Sequence, residues 1–113
     1  MKYLFVCSFG KQRSPTAAEI ATQMAKERGM PLVADYVGLK QPTHSGDITV
    51  LKDRLNAFDR YFVMDHWMKV QLSEKYEIPE EKIVFLDIPD MFQKNDPVLM
   101  AVLREKLDRW IVA

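Results

Sequence analysis

Apolar residues along this chain gather in short runs, separated by segments in which they recur every three or four positions. Tyr3-Leu4-Phe5-Val6 is aromatic and β-branched without polar alternation, the pattern of a strand covered on both faces. Pro15 opens a segment with Ala17, Ile20, Ala21, Met24 and Ala25 at helical spacing, and Gly29 closes it. Ser14 before that proline predicts an N-cap followed by Pro at the first helical position. Leu32-Val33-Ala34 and Tyr36-Val37 predict a second strand, and Leu39 to Asp47 a loop around Pro42 and Gly46. Asp47 is placed to cap a helix running to about Phe58, with Val50, Leu51, Leu55 and Phe58 inward. Tyr61-Phe62-Val63-Met64 predicts a third strand, His66 to Tyr76 a helix, and Ile83-Val84-Phe85-Leu86 a fourth strand. Asp87 to Phe92 then leaves as a loop. Asp96-Pro97 repeats the cap-plus-proline pattern before Leu99, Val102, Leu103, Leu107 and Trp110 at helical spacing.

Strand and helix alternate throughout. That order predicts an α/β fold: a single three-layer domain over residues 1–113, with a four-stranded parallel sheet flanked by helices on both faces and right-handed crossovers. Ligands of such sheets sit beyond the carboxyl ends of the strands. Two polar segments leave strands at that edge, Cys7 to Ser14 and Asp87 to Phe92, and the function is expected there.

Composition narrows the chemistry. The 113 residues fit one ordinary domain, and 48% hydrophobic with 28% charged residues exclude a disordered chain. Lys plus Arg number 16 and Asp plus Glu 16, so nothing in the charge balance favours a nucleic-acid backbone or an anionic membrane surface. No apolar run approaches the roughly 18 residues of a membrane span. With one Cys and two His, neither an internal disulfide nor a typical structural zinc site is expected. A cytoplasmic domain with a single thiol to explain is the expectation.

That thiol heads the run Cys7-Ser8-Phe9-Gly10-Lys11-Gln12-Arg13-Ser14. Each part has a use if the ligand is a phosphate. Backbone N–H groups of a tight loop form an anion-binding concavity, and the helix after it adds its unpaired amides and positive dipole end. Arg13 offers a planar fork for two phosphate oxygens. Gly10 tolerates the left-handed geometry such a loop needs. The same surroundings favour a thiolate, to which Ser14 can donate its hydroxyl. Taken singly these residues have ordinary roles: a buried hydrophobe, a solvated helix start, a cap. Their combination at this spacing, between a strand and a helix, is what points to chemistry. A thiol phosphatase also needs a carboxyl group on another loop to protonate the leaving oxygen and then to activate water. By position Asp87 and Asp90 both qualify.

The order strand, Cys, five residues, Arg, Ser, Pro, helix, with Ala18-Glu19 following, resembles the low molecular weight protein tyrosine phosphatases, in particular a shorter branch of that family. The resemblance extends over nearly the whole chain, through Phe62-Val63-Met64-Asp65 and the late loop Ile88-Pro89-Asp90-Met91-Phe92. It implies that Cys7 is the nucleophile, that Arg13 binds the phosphoryl oxygens, and that Ser14 stabilises the thiolate. Asp90 is then the general acid, with Phe92 as aromatic wall for the substrate. Ser8, Phe9, Gly10, Lys11, Gln12 and Ser14 complete the phosphate site, no metal or other cofactor is needed, and the substrate is a phosphorylated protein or a small aryl phosphate. Asp87 becomes structural and Asp96 a cap.

The chain departs from the family in places. Phe9, Gly10 and Gln12 stand where the family commonly has Gly, Asn and a second Cys, and Met91 replaces the proline after the acid. Gly10 matches the backbone geometry of Asn but lacks its loop-bracing side chain. Gln12 removes the partner thiol that protects against overoxidation, and with it any thiol-coupled arsenate reduction. The Cys7-Ser8-x-Gly10 run also resembles the sugar phosphotransferase-system B subunits phosphorylated on Cys, so a phosphocysteine carrier is the alternative, and a catalytically weak phosphopeptide binder a third. Arg13 and Asp90 favour the hydrolase. His44, His66 and Trp67 are further candidates for lining the site, each with an ordinary surface or packing role beside it.

Overall fold

The computed structural model describes residues 1–8, 13–39 and 55–112. Four strands, β1 (Lys2–Cys7), β2 (Val33–Gly38), β3 (Arg60–Val63) and β4 (Ile83–Phe85), form one all-parallel sheet in the order β2-β1-β3-β4. The register pairs Cys7 with Gly38, Val6 with Val63, and Val63 with Phe85. Helix α1 (Arg13–Arg28) follows β1, α2 (His66–Glu74) follows β3 and α3 (Pro97–Leu107) follows β4, and short 3-10 turns occupy Glu80–Lys82 and Asp108–Trp110. The expected loop from Leu39 to Asp47 lies, beyond Leu39, outside the described residues, as does most of the helix expected from Asp47 to Phe58; its end is seen in Leu55, which is buried.

The patterning explains the layers. β1 and β3 are central strands, and Tyr3 to Cys7 and Tyr61 to Val63 are all buried, as expected of runs without polar alternation. Phe62 stacks on Phe5 at 4.9 Å and meets Trp110 edge-on at 5.9 Å, joining the middle of the sheet to the end of the chain. β2 and β4 are edges and keep Val33, Tyr36 and Phe85 exposed. Helix α1 buries Ala17, Ile20, Ala21, Met24 and Ala25, and α3 buries Leu99, Leu103 and Leu107. Arg104 on α3 bonds Glu27 on α1 at 3.0 Å, so these two helices lie together. β1 leads to β2 on one side while β3 leads to β4 on the other; right-handed crossovers therefore put α1 and α2 on opposite faces. No helix among the described residues is long and apolar enough to cross a membrane.

This topology fixes where the site lies. The chain leaves β1 and β3 in opposite directions, which opens a crevice between their carboxyl ends. Cys7 ends β1, and Met64-Asp65 follow β3.

Two boundaries differ from the sequence expectation. α1 begins at Arg13, so Ser14 is its second residue rather than its cap, and Pro15 stands third. The first four helical N–H groups have no partner within the helix, so a proline there loses no hydrogen bond. α3 ends at Leu107, and Trp110 lies in the 3-10 turn beyond it. Asp96 is the N-cap of α3, accepting from the Val98 amide at 2.8 Å.

Candidate active site

Cys7 is buried at the end of β1, and its Sγ is 3.0 Å from the Ser14 Oγ, itself fully buried. The early start of α1 creates this contact: a capping Ser14 would spend its oxygen on the helix amides. Beside it Arg13 is only 1% exposed. Arg13 Nη1 donates to the Ile88 carbonyl at 2.7 Å and to Asp65 Oδ1 at 3.2 Å. Its Nη2 lies 3.1 Å from Asp65 Oδ2 and 3.4 Å from the Ser8 Oγ, which accepts from it. Its Nε lies 3.6 Å from Asp90 Oδ1. A buried guanidinium requires compensating charge and acceptors, and here loops from three strands supply them.

Of the residues expected from the sequence, Cys7, Ser8, Arg13, Ser14 and Asp90 come together at the carboxyl ends of β1, β3 and β4. Phe9, Gly10, Lys11, Gln12 and His44 lie outside the described residues. Phe92 is half-buried and packs against the core, while its neighbour Met91 is 74% exposed. Asp87 has φ +56°, the left-handed region, and shapes the turn out of β4. His66 meets Phe85 edge-on, and Trp67 packs against the core.

Asp65 is the site residue that sequence reasoning missed. It occupies the N-cap position of α2 with extended backbone, φ −125° and ψ 152°, yet its carboxylate caps no amide of that helix. Both oxygens face Arg13 instead. The available signal was an acid directly after an apolar strand next to β1, at the switch of chain direction.

The arrangement provides a buried thiol beside a hydroxyl, a planar cation held by acceptors from three loops, and a half-exposed carboxyl group at that cation. Among the described residues no group of three His, Cys, Asp or Glu side chains is placed to hold a metal.

No protein-family model matches the sequence, and no curated protein matches it either. Solved structures do. The low molecular weight protein tyrosine phosphatase of T. tengcongensis superposes with a TM-score of 0.73 at 23% identity, covering 98% of this chain and 97% of that one. The chain has the fold of low molecular weight protein tyrosine phosphatases. The tyrosine phosphatase Wzb from Escherichia coli K30, in complex with phosphate, gives a TM-score of 0.70 at 16% identity over 97% of this chain and 95% of that one. YwlE, an arginine phosphatase whose C7S mutant carries a phosphorylated active-site serine, gives 0.62 at 15% identity, covering 96% and 88%; its organism is Bacillus subtilis.

Proposed function

We propose that this chain is a metal-independent phosphomonoester hydrolase of the protein-tyrosine-phosphatase type, acting through a phosphocysteine on Cys7. The observation that carries the reading is the convergence on Arg13: a buried guanidinium beside the Cys7–Ser14 pair, with Asp90 at its Nε from another loop. The fold it shares with tyrosine phosphatases supports the same reading.

In the first step the Cys7 thiolate attacks phosphorus in line with the leaving oxygen. The S–P bond forms, the P–O bond breaks, and Asp90 gives its proton to the departing oxygen. Arg13 and the amides at the start of α1 hold the three remaining oxygens as charge spreads over them. In the second step Asp90, now a carboxylate, takes a proton from water as that water attacks phosphorus. The S–P bond breaks, inorganic phosphate leaves, and the Ser14 hydroxyl donates to the returning thiolate.

Asp65 has the task of aiming the guanidinium. Because it engages Nη1 and Nη2 from one side, Nε remains directed at Asp90. An arriving phosphate takes Nε in place of the Asp90 carboxylate, which, released from the guanidinium, takes up a proton from solvent and moves to the leaving oxygen. The substrate is a phosphotyrosine-bearing protein or a small aryl phosphate, with Phe92 and the phosphate loop 8–12 at its contact surface. The location is the cytoplasm.

Steady-state hydrolysis of p-nitrophenyl phosphate with a chelator present tests this. Wild type turns over. Cys7→Ser abolishes turnover, and Asp90→Ala lowers kcat by about a hundredfold or more, the scale of general acid catalysis. A wild type without activity, or one that needs a divalent metal, overturns the reading. Phosphotyrosine, phosphoserine and phosphoarginine peptides then rank the substrate classes, and preference for either of the last two overturns the tyrosine assignment.

A further inference from the structure

The loop that carries Asp90 is tied down by a residue from the helix that follows it, about 20 positions further along the chain. Lys106, in the last turn of α3, points its Nζ at two consecutive backbone carbonyls, Leu86 at 2.6 Å and Asp87 at 3.0 Å. Three more backbone groups of this stretch are also held. The Leu86 amide donates to the Val63 carbonyl at 2.9 Å and the Ile88 amide to the Met64 carbonyl at 3.0 Å. The Ile88 carbonyl accepts from Arg13. Between these fixed points Asp87 adopts φ +56°, a conformation uncommon in non-glycine residues, though Asp takes it more readily than most. Lys106 holds this turn from outside, since its ammonium has three donors and two of them go to the carbonyls of Asp87 and of the residue before it.

A lysine in the last turn of a helix ordinarily serves its own helix, satisfying terminal carbonyls or the negative dipole end. Here the charge goes to the loop. Its helix is in turn fixed to the one that begins with Arg13. Arg104 pairs with Glu27 at 3.0 Å, and Arg28 bonds the Asp108 carboxylate at 2.7 Å and the Ile111 carbonyl at 2.8 Å. The turn that sets Asp90 and the helix that sets Arg13 are thus referenced to one α1–α3 unit.

We propose that Lys106 is a positioning residue: through the Leu86 and Asp87 carbonyls it fixes the turn that holds Asp90 opposite Arg13, and so governs proton delivery to the leaving group. This inference rests on the reading of Asp90 as general acid. Lys106 touches neither substrate nor reacting atoms.

The test compares two esters that differ in their need for a proton. Phenyl phosphate releases a basic phenolate that must be protonated; 2,4-dinitrophenyl phosphate releases an anion stable without one. Lys106→Met, which keeps the apolar stem, lowers kcat on phenyl phosphate about tenfold and on the dinitrophenyl ester less than about twofold, as expected when part of a general acid's effect is lost. Inhibition by inorganic phosphate, which reports on Arg13, changes less than about twofold, and Lys106→Arg restores most of the phenyl phosphate rate. In an Asp90→Asn background Lys106→Met causes no further loss, because the two residues act in one step.

Equal loss on both esters, a change confined to KM, or no change in either variant overturns the inference while leaving the hydrolase intact. Failure of the underlying reading looks different: wild type hydrolyses neither ester, or Asp90→Asn leaves the ratio between them unaltered. Either result removes the general acid, and this role of Lys106 with it.

Discussion

Arg13 and Asp65 meet as a two-pronged pair, Nη1 to Oδ1 at 3.2 Å and Nη2 to Oδ2 at 3.1 Å, across the crevice between the start of α1 and the end of β3. The pairing reconciles two demands. A phosphate site needs a positive charge held at one place, and a guanidinium that is 1% exposed needs a counter-charge to be tolerated there. A carboxylate 31% exposed supplies the charge while keeping part of its own hydration.

Asp65→Ala therefore leaves a buried arginine with its main partner gone. Breaking a fully buried pair costs about 3–5 kcal/mol, and the hydration of Asp65 reduces this to about 2 kcal/mol. Chemical denaturation checks the value. Phosphate binding by calorimetry weakens as well, because Nε is no longer aimed. Unchanged stability together with unchanged phosphate affinity contradicts this role for Asp65.

The sequence allowed much of this to be anticipated. The buried runs at Tyr3 to Val6 and Tyr61 to Met64 carry their strand character in composition alone, because a central parallel strand has no polar face. Cys7, Arg13 and Ser14 announce themselves by local spacing, since one loop and one helix start bring them together. Asp65 and Lys106 were not legible. Their partners are 52 and about 20 positions away, respectively, and an acid before a helix or a lysine at a helix end has an ordinary local meaning. Only the strand order, which turns the chain one way after β1 and the other after β3, converts that cap position into a site position. The start of α1 is ambiguous in the sequence for a related reason: Ser-Pro at a helix start fits a cap equally well, and only the contact of the Ser14 hydroxyl with Cys7 tells the two apart.

Ser14→Ala isolates the hydroxyl's contribution to the thiol. The hydrogen bond at 3.0 Å lies wholly in the interior. A bond to a charged group is worth about 1.5–3 kcal/mol, so the loss slows turnover about ten- to a hundredfold. Single-turnover release of p-nitrophenolate from p-nitrophenyl phosphate checks it. The variant's release slows by that factor, and an unchanged rate contradicts donation from Ser14.

Alkaline stability depends on two tyrosines in the core. Burial pushes the Tyr3 phenol up, partly offset by Arg60 and reinforced by Asp59, and burial likewise pushes Tyr61 up. Their hydroxyls donate to the carbonyls of Trp110 and Leu55. A raised acid binds its proton more tightly in the folded chain. Its contribution is complete below the unfolded value of about 10 and is lost as pH climbs through the folded one. Stability is expected to fall from about pH 10 upward. Tyr3→Phe flattens that fall, as read from urea midpoints across the pH range; a steeper fall in the variant contradicts it.

The central claim is that Cys7 carries the phosphoryl group. The most direct measurement is rapid acid quench of the Asp90→Ala variant during turnover of 2,4-dinitrophenyl phosphate, with intact-mass and peptide analysis of the protein. This leaving group departs without an acid, while hydrolysis of the intermediate lacks its base, so the intermediate accumulates. The account predicts one phosphoryl group per chain on the peptide containing Cys7, absent in Cys7→Ser/Asp90→Ala. Release of dinitrophenolate with no phosphoryl group on Cys7, or with one on another residue, contradicts it.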